Sequence, residues 1–223
     1  MKTKLFFSSE IKRNSSLHFF CVKNAIQLTA SSLISFQKIS FKIEESFDVV
    51  FFSSPRSVEY FFSENYENSE FKIACVGSET ARALTALNKS PDFIGEKSGN
   101  PERVAFDFLK WLGNRSVLFP VSKRSNETIY KVVPENQKSK VVCYDTLLTS
   151  QRIEPQDWYV FTSPSNVESF LQINTIPETA KVVAWGNTTA SYLVGKDIAP
   201  QFILQESSEE ALVELLSQKM YNP

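Results

Sequence analysis

The chain carries the same stretch of sequence twice. DVVFFSSPRSVEYF (Asp48 to Phe61) returns as DWYVFTSPSNVESF (Asp157 to Phe170), and KIACVGSETARAL (Lys72 to Leu84) returns as KVVAWGNTTASYL (Lys181 to Leu193). The offset is 109 in both cases (157 less 48, 181 less 72), and the ungapped pairs agree at 12 of 27 positions, against roughly one or two for unrelated segments of ordinary composition. Pro91 and Phe93 fall on Pro200 and Phe202 in the same register. A unit of this length is domain-sized, whereas a solenoid or propeller would repeat every 20 to 50 residues or so. The 223 residues are therefore predicted to form two similar lobes with a cleft between them, and 42% hydrophobic residues with 19 Phe give enough apolar material for two cores.

Strand and helix patterns alternate through each copy. VVFF (49 to 52) is apolar at every position, which suits a strand covered on both faces of a parallel sheet. It runs into Ser54-Pro55, an N-cap serine followed by proline at the first helical position, where the missing N–H costs nothing. IACV (73 to 76) leads through Gly77 to a helix with Ser78 as its predicted cap and Ala83, Leu84 and Leu87 on one face. A further helix opens at Asn100-Pro101, and the last follows Ser207-Ser208. KLFFSS (4 to 9) and SVLFPVS (116 to 122) read as the first strand of each copy, AIQLTA (25 to 30) and KVVCY (140 to 144) as the second. SLISFQKI (32 to 39) and DTLLTSQRI (145 to 153) alternate and are similar in length, so they are predicted to pair as a bridge. Alternating β and α with short connections gives an α/β fold of two similar parallel-sheet domains joined by a two-stranded β-ladder.

Several kinds of chemistry are excluded by inventory. The net charge of −1 lacks the basic excess of a general nucleic-acid binder. A single histidine, His18, leaves no Ser-His-Asp triad or multi-histidine metal site, and a packing or surface role is expected for it. There is no GxGxxG or GxxxxGK[ST], and only six glycines are present, so the usual phosphate-cradling loops are missing. Cys21, Cys75 and Cys143 form no CxxC pair and read as buried, reduced thiols. No run approaches the length of a membrane span and the opening KTKLFF is too short for a signal segment, which points to the cytoplasm.

What remains is four strand-to-helix turns rich in hydroxyls: Ser53-Ser54, Ser78-Glu79-Thr80, Thr162-Ser163 and Asn187-Thr188-Thr189. In an open parallel sheet such turns gather at the carboxyl ends of the strands, where ligands bind. Each offers helix N–H groups and the positive end of a dipole, a setting that favours carboxylate or phosphate. The same residues also cap helices for stability in any protein. Arg56, Lys123 and Arg124 follow strand ends and are candidates for charge-assisted contacts or for solvation alone. Tyr144, at the end of VVCY, is either a packing residue or a phenolic proton donor in a site without histidine.

Taken in order, FFSSPRSVEYF, VFTSPSNVESF, IACVGSETARAL, VVAWGNTTASYL, VLFP and VVCYDT resemble the uroporphyrinogen-III synthase family over nearly the whole chain. The resemblance implies two α/β domains discontinuous in sequence: 1–34 with 151–223 as one, 40–143 as the other, and 35–39 with 144–150 as the connecting ladder. It also implies a reaction without cofactor or metal, in which linear hydroxymethylbilane loses water, inverts its last pyrrole ring through a spiro intermediate and closes as uroporphyrinogen III. The implied partner is a small-molecule linear tetrapyrrole with eight carboxylates, handled by a cytoplasmic monomer with no nucleic-acid or membrane partner. Tyr144 matches the tyrosine that assists departure of the hydroxyl. Ser54, Arg56, Ser78, Thr80, Lys123 and Arg124 match or adjoin substrate contacts in the second domain, and Ser163, Asn166, Thr188 and Thr189 in the first. The family commonly has Thr-Arg after its first strand, where this chain has Ser8-Ser9-Glu10. A non-catalytic two-lobed protein that binds a small anion is the alternative, separated from the enzyme by stoichiometric binding without turnover.

Overall fold

Strands that are apolar at every position must be covered on both faces, and both copies of the repeat supply that cover. The computed structural model describes residues 2–64, 71–96, 101–125 and 128–221; Asn100, read above as the start of a helix, lies outside them. In chain order the elements are β1 (Lys4–Phe7), α1 (Ser16–Lys23), β2 (Gln27–Ala30), β3 (Ile34–Lys38), β4 (Val49–Phe52), α2 (Pro55–Phe62), β5 (Lys72–Cys75), α3 (Ser78–Ala86), β6 (Phe93–Ile94) and α4 (Pro101–Leu112). They continue with β7 (Val117–Ser122), α5 (Thr128–Val132), β8 (Lys138–Leu148), β9 (Trp158–Phe161), α6 (Pro164–Leu171), β10 (Lys181–Ala184), α7 (Asn187–Val194), β11 (Phe202–Ile203) and α8 (Glu209–Tyr221).

The chain divides into two compact units, one of Met1–Ser35 with Leu147–Pro223 and one of Phe36–Thr146. The first holds a sheet ordered β11-β10-β9-β1-β2, the second a sheet ordered β6-β5-β4-β7-β8 with β3 added beyond β8. The pairings through β1, β2, β9, β10 and β11, and through β4 to β8, are parallel. Strand for strand the two orders are the same, so the duplication in the sequence is a duplication of topology. Each repeat copy is nevertheless shared out: its first two strands lie in one unit and its later three in the other. In each sheet the winding direction reverses once, between β1 and β9 and between β7 and β4, which is where a doubly wound sheet opens a crevice for ligand.

Alternation along the strands fills a core on each face. In unit 2, Val49 and Phe51 pack under α4 and α5 with Val104, Phe108 and Ile129, while Val50 and Phe52 pack under α2 and α3 with Val58, Phe61 and Leu84. In unit 1, Trp158 and Val160 face Leu17, Leu212 and Leu216 of α1 and α8, and Tyr159 and Phe161 face Val167, Phe170 and Leu193 of α6 and α7. Helix α1, in the segment with the weakest pattern, is capped by Ser15, whose Oγ accepts from the His18 N–H at 3.2 Å.

Two local expectations change. KVVCY and DTLL are not two strands meeting at a corner but one eleven-residue strand, β8, and residues 149–153 contain no strand. The Asp145 carboxylate accepts from the Thr146 N–H at 2.8 Å and the strand continues through it. The link is accordingly β3 beside β8, with the Ile39 N–H donating to Cys143 O and the Thr149 N–H to Leu33 O; as one number rises by six the other falls by six, the mark of antiparallel strands. Ser78 is not a cap: Gly77 and Gly186 occupy the N-cap positions of α3 and α7, and neither helix has a side-chain cap bond. Leu87 is the C-cap of α3 and is 44% exposed, the buried residues of that helix being Thr80 and Leu84.

The lower ends of the sheets are buckled by side chains in repeated positions. Asp48 Oδ2 accepts from the Ser116 N–H at 2.8 Å and from Ser116 Oγ at 2.9 Å, and Asp157 Oδ2 accepts from the Lys4 N–H at 2.8 Å. The backbone and side-chain bonds from Ser116 hold the Asp48 carboxyl below its ordinary value of 3.8. A carboxyl depressed in the folded state stabilises it fully above the unfolded value and loses that contribution as pH falls through the folded one. Urea midpoints measured from pH 6 downward should therefore fall more steeply below about pH 4 for the wild type than for Asp48→Asn; parallel curves would show that Ser116 does not perturb the carboxyl.

Candidate active site

Tyr144 is placed by an irregularity in β8. The β7–β8 register runs Phe119↔Lys140, Pro120↔Val141, Val121↔Val142 and then Ser122↔Tyr144, so Cys143 is an extra residue in a β-bulge. Side chains alternate faces with a period of two, and Val142 packs with the α4/α5 core while Val141 and Cys143 pack with the α2/α3 core. Strict alternation would send Tyr144 to the Val142 side. The bulge shifts the parity by one, and Tyr144 instead joins Cys143 on the α2/α3 face.

There the ring is held from two sides and the hydroxyl is aimed. Tyr60 of α2 stacks on Tyr144 with centroids 5.1 Å apart and planes at 21°, and Phe36 of β3 meets it edge-on at 6.1 Å and 61°. The residue is 7% exposed. Its Oη lies 3.4 Å from Ser54 Oγ, long for an O–H···O bond, and such slack contacts are common in catalytic groups that tighten only on substrate. Ser54 is the N-cap of α2, in a capping box: its Oγ accepts from the Ser57 N–H at 3.1 Å, and Ser57 Oγ accepts from the Ser54 N–H at 3.3 Å. The phenol tip thus sits at the positive end of a helix dipole.

Ser54, Phe36 and Tyr144 line a cavity of about 670 Å³ within unit 2. Its other polar groups are Arg56, Glu59 and Ser63, and its walls include Val58 and Phe62 of α2 and Ala83, Ala86 and Leu87 of α3. Arg56 is exposed, with Cζ 3.4 Å from the centroid of the Phe36 ring. A cavity of this size, mostly apolar with a few convergent polar groups, is the usual form of a small-molecule site. The three thiols take no part: Cys21, Cys75 and Cys143 are buried, and burial pushes them up to about 11, 11 and 12 respectively, so each stays protonated. Among the described residues no group of three or more His, Cys, Asp and Glu could hold a metal ion.

The other predicted contacts divide. Lys123 lies at the end of β7, its N–H donating to Tyr144 O at 3.0 Å and its Nζ 3.5 Å from the Asp145 carboxylate, so its charge is already paired. Arg124 is exposed beside it. Ser78 and Thr188 are exposed at the first turns of α3 and α7, where the glycine caps leave backbone N–H groups without a side-chain acceptor; Thr80 and Thr189 are buried in the same turns. Ser163 caps α6 through the Asn166 N–H at 3.3 Å. Asn166 is held from inside the protein. Its side chain is 3% exposed and wholly engaged inside the protein: Oδ1 accepts from the Leu33 N–H at 2.8 Å, and Nδ2 donates to Thr162 Oγ1 and Ser163 Oγ at 3.3 and 3.0 Å. Ser8 closes the same corner, accepting from the Thr162 N–H at 2.8 Å.

Phe36 and Tyr60 were missing from the sequence reading of the site. The Arg56-x-x-x-Tyr60 spacing does place both side chains on one helix face, but nothing in ISFQK shows which strand its phenylalanine will meet.

A family model described as uroporphyrinogen-III synthase HemD matches residues 24–214. The chain belongs to the uroporphyrinogen-III synthase family. Members of this family are lyases of tetrapyrrole biosynthesis that cyclise hydroxymethylbilane, and the chain is an enzyme of that kind. Among solved structures it is similar to uroporphyrinogen-III synthetase from Helicobacter pylori, at 19% identity and a TM-score of 0.71 over 96% of this chain and 98% of that one. It is also similar to a mutant uroporphyrinogen III synthase from Thermus thermophilus, at 13% identity and a TM-score of 0.63 over 98% of each. At these identities the two structures support the fold of the family: mixed α/β with two parallel sheets. No curated protein sequence matches the chain significantly.

Removing the Asn166 side chain strands the buried Leu33 N–H. Asn166→Ala should cost about 1–3 kcal/mol in urea unfolding, with its turnover, measured well below the melting temperature, close to wild type. A stable variant with impaired turnover would make Asn166 a substrate contact after all.

Proposed function

We propose that the cavity beside Tyr144 receives the reacting end of hydroxymethylbilane and that Tyr144 is the general acid of the family's reaction in this chain. The observation that carries this reading is the bulge at Cys143, which turns the phenol out of the α4/α5 core and delivers it to the Ser54 cap and the cavity. The phenol donates its proton to the departing hydroxyl, water leaves, and the electron pair of the adjacent pyrrole nitrogen stabilises the resulting methylene cation. The substituted carbon of the last ring attacks that cation to form the spiro intermediate. Fragmentation and reattachment invert the ring, and loss of the ring proton restores the phenol, so the net change is loss of one water. Most of the protein's contribution is geometric, since it selects one closure of an intrinsically reactive chain. Such a task needs donors in fixed places more than it needs a nucleophile.

Carboxylates of a linear tetrapyrrole would be met by Arg56 and Arg124, by the open N-terminal turns of α3 and α7 at Ser78, Thr80, Thr188 and Thr189, and by the capped turns at Ser54 and Ser163. Lys123, paired with Asp145, would exchange that partner for a substrate carboxylate. The protein works as a cytoplasmic monomer on this small molecule, with neither nucleic acid nor membrane as partner. The net charge of −1 speaks against nucleic acid as a partner, and among the described residues no helix is long and apolar enough to cross a membrane. Nothing in the molecule favours the non-catalytic binding protein.

The test is to add the protein to freshly generated hydroxymethylbilane, oxidise the products and separate isomers I and III. Isomer III should predominate, and Tyr144→Phe should lower its rate on the order of 100-fold while leaving the fold intact. Isomer III at an unchanged rate in Tyr144→Phe would remove the acid assignment alone. Only isomer I, at the rate seen without protein, would overturn the reading.

A further inference from the structure

We infer that Phe36 is a positioning residue of this site: its ring is a platform that fixes the Arg56 guanidinium in one plane and presents its N–H edge to a substrate carboxylate at the cavity. The inference rests on the proposal that the cavity is the substrate site. Arg56 Cζ lies 3.4 Å from the Phe36 ring centroid, and both residues line the cavity. Among the described residues Arg56 has no ion-pair partner, so the ring is what orders it.

The chemistry of the two groups makes this arrangement more than a surface contact. A guanidinium is planar and weakly hydrated on its faces, and its five donors point outward in that plane. Stacking on an aromatic ring therefore uses a face and leaves the donors free for a bidentate carboxylate. An acidic partner would have ordered the arginine equally well but would have occupied the edge a substrate needs. The same Phe36 ring also meets Tyr144 edge-on, but the phenol is held as well by the stacked Tyr60 ring, so loss of Phe36 frees the cation while the phenol keeps its place.

The experiment compares Phe36→Leu and Phe36→Tyr in the wild-type and Arg56→Ala backgrounds. Phe36→Leu should raise KM for hydroxymethylbilane roughly 3- to 30-fold, the range spanned by exposed to desolvated cation–π contacts, with kcat changed about twofold or less. Phe36→Tyr, which keeps the ring, should restore the wild-type KM. In the Arg56→Ala background Phe36→Leu should add nothing. An equal rise in that background, or a loss confined to kcat, would overturn the inference, because Phe36 would then act without Arg56.

A second readout needs neither substrate nor turnover. With 15N-labelled arginine, the Arg56 side-chain resonances should be shifted upfield by the Phe36 ring current, a shift that is lost in Phe36→Leu and kept in Phe36→Tyr. Arg56 resonances already at the positions of a freely solvated arginine in the wild-type protein would also overturn it. A wild type that yields only isomer I sinks the synthase reading by itself, and the ring-current shift then decides whether Phe36 orders Arg56.

Discussion

Parity in β8 governs the site. Along a strand the face of every side chain is fixed by whether its number is odd or even relative to its neighbours, and one extra residue reverses the assignment for everything that follows. Cys143 is that residue, set where β8 passes the end of β7. Because of it, an aromatic ring that would have filled the core under α4 and α5 emerges between Tyr60 and Phe36 with its hydroxyl at the cap of α2. The bulge lies beside the place where the winding of the sheet reverses, so the backbone irregularity and the topological opening reinforce one another.

The two units inherit one plan and use it differently. In unit 1 the corner at the reversal point is closed from within: Ser8 and Thr162 bond to each other, and Asn166 bridges Thr162, Ser163 and Leu33. In unit 2 the corresponding helix, α2, carries Ser57 where α6 carries Asn166, and Arg56 where α6 carries Ser165. The short serine completes a local capping box and reaches no further, while the arginine extends over Phe36. Divergence at two adjacent positions of the repeat thus converts a sealed corner into an open one with a cation at its mouth.

How much of this was legible in the sequence depends on the range of the interactions. VVFF and YVF announce parallel strands because double-sided burial leaves no polar face, and Ser-Pro announces helix starts because capping is settled within four residues; Ser54 and Ser163 do cap α2 and α6. The duplication then fixes a common topology for both sheets. What failed was either non-local or concealed by a local mimic. KVVCY and DTLL read as two strands, but Asp145 bonds to the next residue's backbone and one strand runs through both. Ser78 looks like a cap, yet the preceding glycine occupies the position. The inward bond of Asn166 is equally hidden, since only the return of residue 33 from the far end of the chain reveals its partner. The bulge leaves no mark on VVCY, and so neither the direction of Tyr144 nor the contact with Phe36 could be read from it.

The division of each repeat between two units has a consequence during synthesis. Unit 2 lies wholly between residues 36 and 146 and can close as soon as its own strands have emerged. Unit 1 cannot: β1 and β2 are made first, but their central partner β9 begins at Trp158, 128 positions beyond the end of β2 at Ala30. At about 5–20 residues per second the strand containing Leu5, Phe6 and Phe7 waits on the order of ten seconds with the edge that β9 will pair and the Phe6 face that α6 and α7 will cover both open. The amino-terminal strand is thus the segment of the newborn chain that most needs a chaperone, and its requirement is set by the order in which the ribosome delivers the pieces.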